Sequence, residues 1–190
     1  GTYDLTSGLN GAAMRYDEDG DASRYDWRVP NPSIGVRAND NNIEGWDWTL
    51  GSTITVTVDD PGTVLSPDIT RTAVVYQPDW NPNERRFDIN LNGVFDIKTG
   101  DVVTASDGTT TKTHTVTSLA FTDVNIDTDV VTGVAQAGSS VDIWTCDYAN
   151  CYNYDPDPVT GGDGVWSVDF TALYNIVFGT WIDSSQTDED

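Results

Sequence analysis

The feature that most constrains this chain is a period of two in its hydrophobic pattern, cut at short intervals by turn residues. Thr53-Ile54-Thr55-Val56-Thr57-Val58 alternates polar and apolar side chains, as a strand with one buried face does. Arg86-Phe87-Asp88-Ile89-Asn90-Leu91, Val141-Asp142-Ile143-Trp144 and Trp166-Ser167-Val168-Asp169-Phe170 repeat the pattern. Asp101-Val102-Val103-Thr104 and Thr113-His114-Thr115-Val116 add further strands. Turn signals separate them at Asp60-Pro61-Gly62, Asn92-Gly93, Asp107-Gly108 and Gly161-Gly162-Asp163-Gly164. Only Ala172-Leu173-Tyr174 has a weakly helical look. Many short strands at close spacing predict an all-β chain built of sandwiches.

Hydrophobic residues make up 37% of the 190, below the roughly 45% of an average globular domain. The apolar side chains are therefore spent in short strands rather than in long buried helices. The formal net charge of -22 repels nucleic-acid phosphates and anionic membranes. Such charge either keeps the protein soluble or gathers divalent cations, and both readings stand. Cys146 and Cys151 are spaced for a loop-closing disulfide, which would place the chain in an oxidising compartment; two free buried thiols are the other reading. One distant histidine, His114, does not complete a zinc set. From Gly1 onward the sequence shows no signal peptide or apolar spanning run, and reads as a mature product or as part of a longer protein.

Two blocks share a grammar of strand, Gly, polar stretch, Gly-Ser, strand. One runs from Ile43 through Gly45 and Gly51-Ser52 to Val56. The other runs from Val131 through Gly133 and Gly138-Ser139 to Ile143. An aromatic strand follows each, at Phe87 and at Trp166. The expectation is two tandem sandwiches with a boundary near Leu119. A second echo links the ends: Gly1-Thr2-Tyr3 with Gly179-Thr180-Trp181, and Asp17-Glu18-Asp19 with Asp188-Glu189-Asp190. That order fits a repeating array, although short matches in an Asp-rich chain also arise by chance.

The segment from Thr122 to Phe170 resembles the bacterial Ig-like repeat domains of large surface proteins. Val131-Thr132-Gly133-Val134-Ala135, Ala137-Gly138-Ser139-Ser140-Val141 and Asp163-Gly164-Val165-Trp166-Ser167-Val168 carry the likeness. The sequence departs from that family by a shortened Asp-Gly-Val-Trp step and by an inserted Cys- and Tyr-rich loop, Cys146 to Tyr154. The resemblance implies stalks, adhesins and fibre proteins, and no catalytic residues.

Asp17, Asp19 and Asp21, with Asp26 downstream, are the sharpest candidate metal ligands. Alternate carboxylates around Gly20 offer oxygens of the kind calcium takes. The glycine falls at the fourth place and Arg28 stands where an EF-hand needs its Glu, so an EF-hand is not expected. Asp123, Asn125, Asp127 and Asp129 form a second set at the expected boundary, equally well explained as charge that guards a strand edge. Asp155, Asp157 and Asp163 form a weaker third. Trp46 and Trp48 alternate, while Trp80, Tyr148, Tyr152 and Tyr154 lie in loop-like sequence and could stack on sugar rings; packing in the core is the alternative for all of them.

No nucleophile motif or phosphate loop is visible, and no enzyme activity is expected. The expected layout is an acidic linker or docking segment over 1–27, an Ig-like β-sandwich over 28–118, and a second over 119–190 with a C-terminal linker. The expected role is a repeat or subunit of an extracellular surface protein or filament. Its partners would be neighbouring copies or adjacent repeats, with Ca2+ stiffening the joints and no membrane insertion. The alternative is a calcium-dependent carbohydrate-binding module of an adhesin or secreted enzyme.

Overall fold

The alternation is realised strand by strand. In a computed structural model that describes residues 4–147 and 150–186, fifteen strands form and no α-helix does. They are β1 (Asn10–Tyr16), β2 (Ala22–Arg28), β3 (Ser33–Arg37), β4 (Asn42–Trp46), β5 (Thr53–Asp59), β6 (Ile69–Val74), β7 (Arg86–Asn90) and β8 (Val102–Ser106). The remainder are β9 (Thr111–Thr115), β10 (Leu119–Asn125), β11 (Val130–Ala135), β12 (Val141–Cys146), β13 (Cys151–Asn153), β14 (Val165–Asp169) and β15 (Trp181–Gln186). The chain divides into two units, Gly1–Val116 and Thr117–Asp190.

In the first unit, antiparallel sheets β3-β4-β7 and β6-β5-β8-β9 close over one core. Ile54, Val56 and Val58 point inward from β5, Phe87 and Ile89 from β7, Val103 and Ala105 from β8. Trp48 is fully buried, and its indole N–H donates to the carbonyl of Ser33 at 2.9 Å. A third, two-stranded sheet, β1-β2, covers most of the segment expected to be a linker. The consecutive small residues Gly11, Ala12 and Ala13 of β1 give a hydrophobicity reading no alternation to find there. Every residue of β2 is exposed, so the hairpin has no core of its own.

In the second unit, sheets β10-β11-β14 and β13-β12-β15 enclose Val131, Ala135, Val141, Ile143, Trp166, Val168, Phe170 and Ile176. Among the described residues the strand order repeats that of the first unit, without a counterpart of β9. In both units the fourth strand pairs with the third. In the immunoglobulin constant arrangement it joins the fifth, so the all-β sandwich holds while that arrangement does not.

The two units match in detail. Gly45 on β4 lies opposite Phe87 and Gly133 on β11 opposite Trp166, each glycine leaving room for the facing ring. Ser52 caps Thr49, and Ser139 caps Gln136, through both its N–H and its hydroxyl. Asn41 and Asp129 both hold positive φ, 49° and 54°. Their side-chain oxygens accept the N–H of Ile97 at 2.7 Å and of Ile176 at 2.8 Å. The repeat grammar of the sequence is thus a repeat of structure.

Candidate functional site

The β1–β2 turn brings together what the sequence placed there. One carboxylate oxygen from each of Asp17, Asp19 and Asp21 lies within 4.8 Å of the others, a unique group of this kind among the described residues. Gly20, at φ 98°, lets the chain reverse, and the Asp17 N–H closes the turn on the Asp21 carbonyl at 3.0 Å. The Asp19 carboxyl is held below its ordinary pKa, first by the Asp17 side chain and then by the Asp21 backbone. All three side chains are exposed. Three carboxylates with nearby turn carbonyls could supply part of a calcium shell, whose remainder would be water. Asp26 does not join them. An extended strand advances about 3.3 Å per residue, so β2 carries it away, and it pairs instead with Arg24 at 2.7 Å.

The second acidic set is not gathered into a cluster. Asp123 and Asn125 lie on β10, and the Asn125 side chain accepts the N–H groups of Asp127 and Thr128 at 3.0 and 3.1 Å, which makes the turn. Asp129 spends one oxygen on Ile176 as described. In the third set, Asp163 accepts the Val165 N–H at 3.2 Å. Burial, then the charge of Asp157, pushes the Asp142 carboxyl up.

Of the aromatic candidates, Trp80 is the freely exposed one, at 69%. Tyr152 packs on Tyr174 with centroids 5.0 Å apart, and Tyr154 meets Phe170 edge-on at 5.6 Å and belongs to the core of the second unit. Tyr148 lies outside the described residues. Trp46 covers Gly35, and Trp48 is core. Cys146 and Cys151 form a disulfide across the end of the β12–β13 hairpin.

Charged side chains also organise the interior edge of the first unit. Glu44, almost buried, faces Arg86, which hydrogen-bonds Asp88 and reaches Glu84 at 3.3 Å. The Asp88 hydrogen bond holds the Arg86 guanidinium more firmly protonated than usual. Asp101 has no exposed surface; one oxygen accepts the Lys98 N–H at 2.9 Å and the other lacks a partner. Burial pushes its carboxyl up.

Sequence reasoning missed a set of exposed apolar side chains before and at the start of β15: Val177, Phe178 and Trp181, exposed at 49%, 91% and 53%. Aligning Lys98-Thr99-Gly100-Asp101 with Val177-Phe178-Gly179-Thr180 would have shown that polar residues of the first unit are replaced there by apolar ones.

No family model and no curated protein matches the chain. Among solved structures, it is similar to a crystal structure of a tetra-tandem repeat in the extending region of a large adhesion protein. The TM-score is 0.26 and the identity 16%, over 96% of this chain and 56% of that one. The present chain thus spans little more than half the length of that one, and a TM-score so low carries no argument about fold or function.

Proposed function

We propose that the chain is a non-catalytic structural repeat or subunit of an extracellular surface protein or filament. The observation that carries this reading is the internal duplication: two sandwiches of one strand order, with equivalent caps at Asn41 and Asp129 and equivalent glycines beneath Phe87 and Trp166. Copies of one structural unit within a chain are what repeat proteins are built from. The disulfide fits an oxidising compartment. The strongly acidic surface fits a molecule that stays soluble at high local density. Calcium at Asp17, Asp19 and Asp21 would neutralise the tip of the first hairpin and stiffen it. The carbohydrate-binding alternative has less to work with, since Tyr152 and Tyr154 are committed to packing.

Immunogold labelling of intact source cells, before and after protease shaving, tests the reading. Label on the outer surface or on filaments, lost on shaving, is the expected outcome. Antigen reached only after lysis would overturn it.

A further inference from the structure

Asparagine precedes glycine twice in this chain, at Asn10-Gly11 and at Asn92-Gly93, and the fold treats the two steps differently. Asn10 and Gly11 lie in β1. Val29 N–H reaches Leu9 O at 2.7 Å at one end of that ladder, and Asp17 N–H reaches Asp21 O at 3.0 Å at the other. Hydrogen-bonded pairs alternate along antiparallel strands, so they fall on the odd residues of β1 and Gly11 is locked to Trp27. The indole also lies across Gly11, where a Cβ would come within 2.5 Å of the ring. Asn92 and Gly93 are instead the exposed centre of a turn, closed by Val94 N–H on Leu91 O at 2.9 Å. Gly93 has φ 72°, and a Cβ there would meet nothing within 4 Å. Its N–H has no acceptor among the described residues.

The Asn92 side chain is met by a fixed donor. Asn41 Nδ2 donates to Asn92 Oδ1 at 3.4 Å. Asn41 is itself held in place, since its Oδ1 takes the Ile97 N–H at 2.7 Å and its main chain sits at φ 49°. A donor at Asn92 Oδ1 meets the negative charge that develops on that oxygen when the amide carbon is attacked. The second unit has the same turn, with Leu173 and Tyr174 N–H on Phe170 O at 2.7 and 2.8 Å. There Thr171 and Ala172 stand at its centre, and Asp129 takes the place of Asn41. Neither the amide nor the donor exists in that unit.

We propose that Asn92-Gly93 is a self-modification site, at which the folded chain deamidates without an enzyme. The Gly93 nitrogen gives its proton to hydroxide and bonds to Asn92 Cγ; glycine has no Cβ to obstruct the approach. The Cγ–Nδ2 bond breaks, ammonia leaves, and a five-membered succinimide ring joins the two residues. Water then opens the ring at either carbonyl. One opening leaves an aspartyl residue at position 92. The other leaves an isoaspartyl linkage, in which the main chain runs through the former side chain. Either product gains a carboxylate, and nothing is oxidised or reduced. The isoaspartyl form lengthens the backbone by one carbon between Leu91, which is buried, and Phe95, which packs on the core. Leu91 O then loses its hold on the Val94 and Phe95 N–H groups, which it accepts at 2.9 and 3.0 Å in the unmodified chain. The modified turn loosens the end of β7, and the extent of conversion records the age of the molecule.

Incubating the full chain for weeks in heavy-oxygen water at mildly alkaline pH, followed by trypsin in ordinary water, tests the proposal. Ring opening takes its oxygen from the solvent, so conversion in the folded chain carries the heavy isotope and conversion during digestion does not. The tryptic fragments 87–98 and 1–15 report Asn92 and Asn10 separately. Label accumulating at Asn92, part of it as isoaspartate, with Asn10 unlabelled, is the expected result. Amide exchange at Val94 and Phe95 should be faster in the isoaspartyl form, isolated by chromatography. Asn41→Asp keeps an acceptor for Ile97, as Asp129 does for Ile176, and removes the donor to Asn92. Labelling of Asn92 in that variant should fall by about 10-fold, short of the roughly 100-fold that a buried oxyanion donor gives an enzyme. Unlabelled Asn92, or equal labelling of the two asparagines, would overturn the proposal. An unchanged rate in Asn41→Asp would overturn the part assigned to Asn41.

Discussion

Gly133 lies flat beneath the indole of Trp166, so close that a Cβ there would come within 2.1 Å of the ring and 2.5 Å of the Ala120 carbonyl. The ring cannot rise without leaving the core, and the carbonyl belongs to the next strand. Gly133→Ala should therefore cost about 2 kcal/mol, within the range of overpacking in a filled core. Urea unfolding of the full chain measures this, and an unchanged midpoint would show that the indole can move aside. Gly45→Ala, beneath Phe87 at 2.0 Å, should behave alike.

Asp129 works as a cap, and its charge is incidental to that work, because Asn41 does the same for Ile97. Asp129→Asn should leave stability within about 0.5 kcal/mol of the parent. Asp129→Ala loses the hydrogen bond and strains a positive φ, for a cost of about 2 kcal/mol. Equal losses from the two variants would show that the negative charge itself matters.

Asp101 and Thr180 occupy one position in the two units. Each side-chain oxygen accepts the N–H three residues earlier, at Lys98 and Val177. Asp101 adds a buried, half-satisfied charge. Asp101→Thr should therefore stabilise the chain by about 1 kcal/mol at neutral pH. The folded pKa of Asp101 is raised, so the folded chain takes up its proton first as pH falls. The penalty is complete above that folded pKa and disappears below the unfolded value of about 3.9. Paired thermal melts from neutral pH into the acid range should show the advantage of the variant shrinking. A constant advantage would mean that ionisation is not its source.

Calcium binding at Asp17, Asp19 and Asp21 would protect the hairpin locally. At a calcium concentration one hundred times the dissociation constant, local opening should become about 100-fold rarer. Amide hydrogen exchange over β1 and β2, with calcium and with chelator, reads this directly. Asp19→Asn should erase the difference. Equal exchange in both conditions would reduce the turn to solvated surface.

Replacing Cys146 and Cys151 together by serine should cost about 2 kcal/mol, because the bond closes a short loop with a sequence separation of 5. The loss should fall on the β12–β13 hairpin first. Exchange rates at Tyr152 and Asn153 would report it.

The core strands were legible because their alternation is strong: Ile54, Val56 and Val58, or Phe87 and Ile89, face inward as the pattern requires. The duplication was legible as well, since glycines beneath aromatic rings and Gly-Ser turns leave fixed marks. The hairpin β1–β2 was not: Arg24-Tyr25-Asp26-Trp27-Arg28 alternates, but the consecutive small residues Gly11, Ala12 and Ala13 of β1 show no period to pair with it. The echo between the ends involves Gly1 to Tyr3 and Asp188 to Asp190, which lie outside the described residues. Asp26 and Asp129 were grouped with metal ligands because spacing in sequence does not tell which way a strand carries a carboxylate. Tyr152 and Tyr154 read as loop because the short strand β13 and its neighbours contain too few residues to show a period.

One oxygen of Asp47, Oδ2, receives both the Arg28 guanidinium at 2.9 Å and the Asn31 N–H at 2.6 Å. Asp47 is also next in sequence to the buried Trp48. The strand that follows the hairpin, β3, is an outer strand of its sheet, the sort that a pull from the front would unzip one bond at a time. The Asp47 clamp spans that weak point. Were the chain a repeat under tension, as proposed, a pull along β2 would pass by way of Asp47 to the corner where Trp48 is anchored, and the first sandwich would be loaded as a bolt rather than as a zipper.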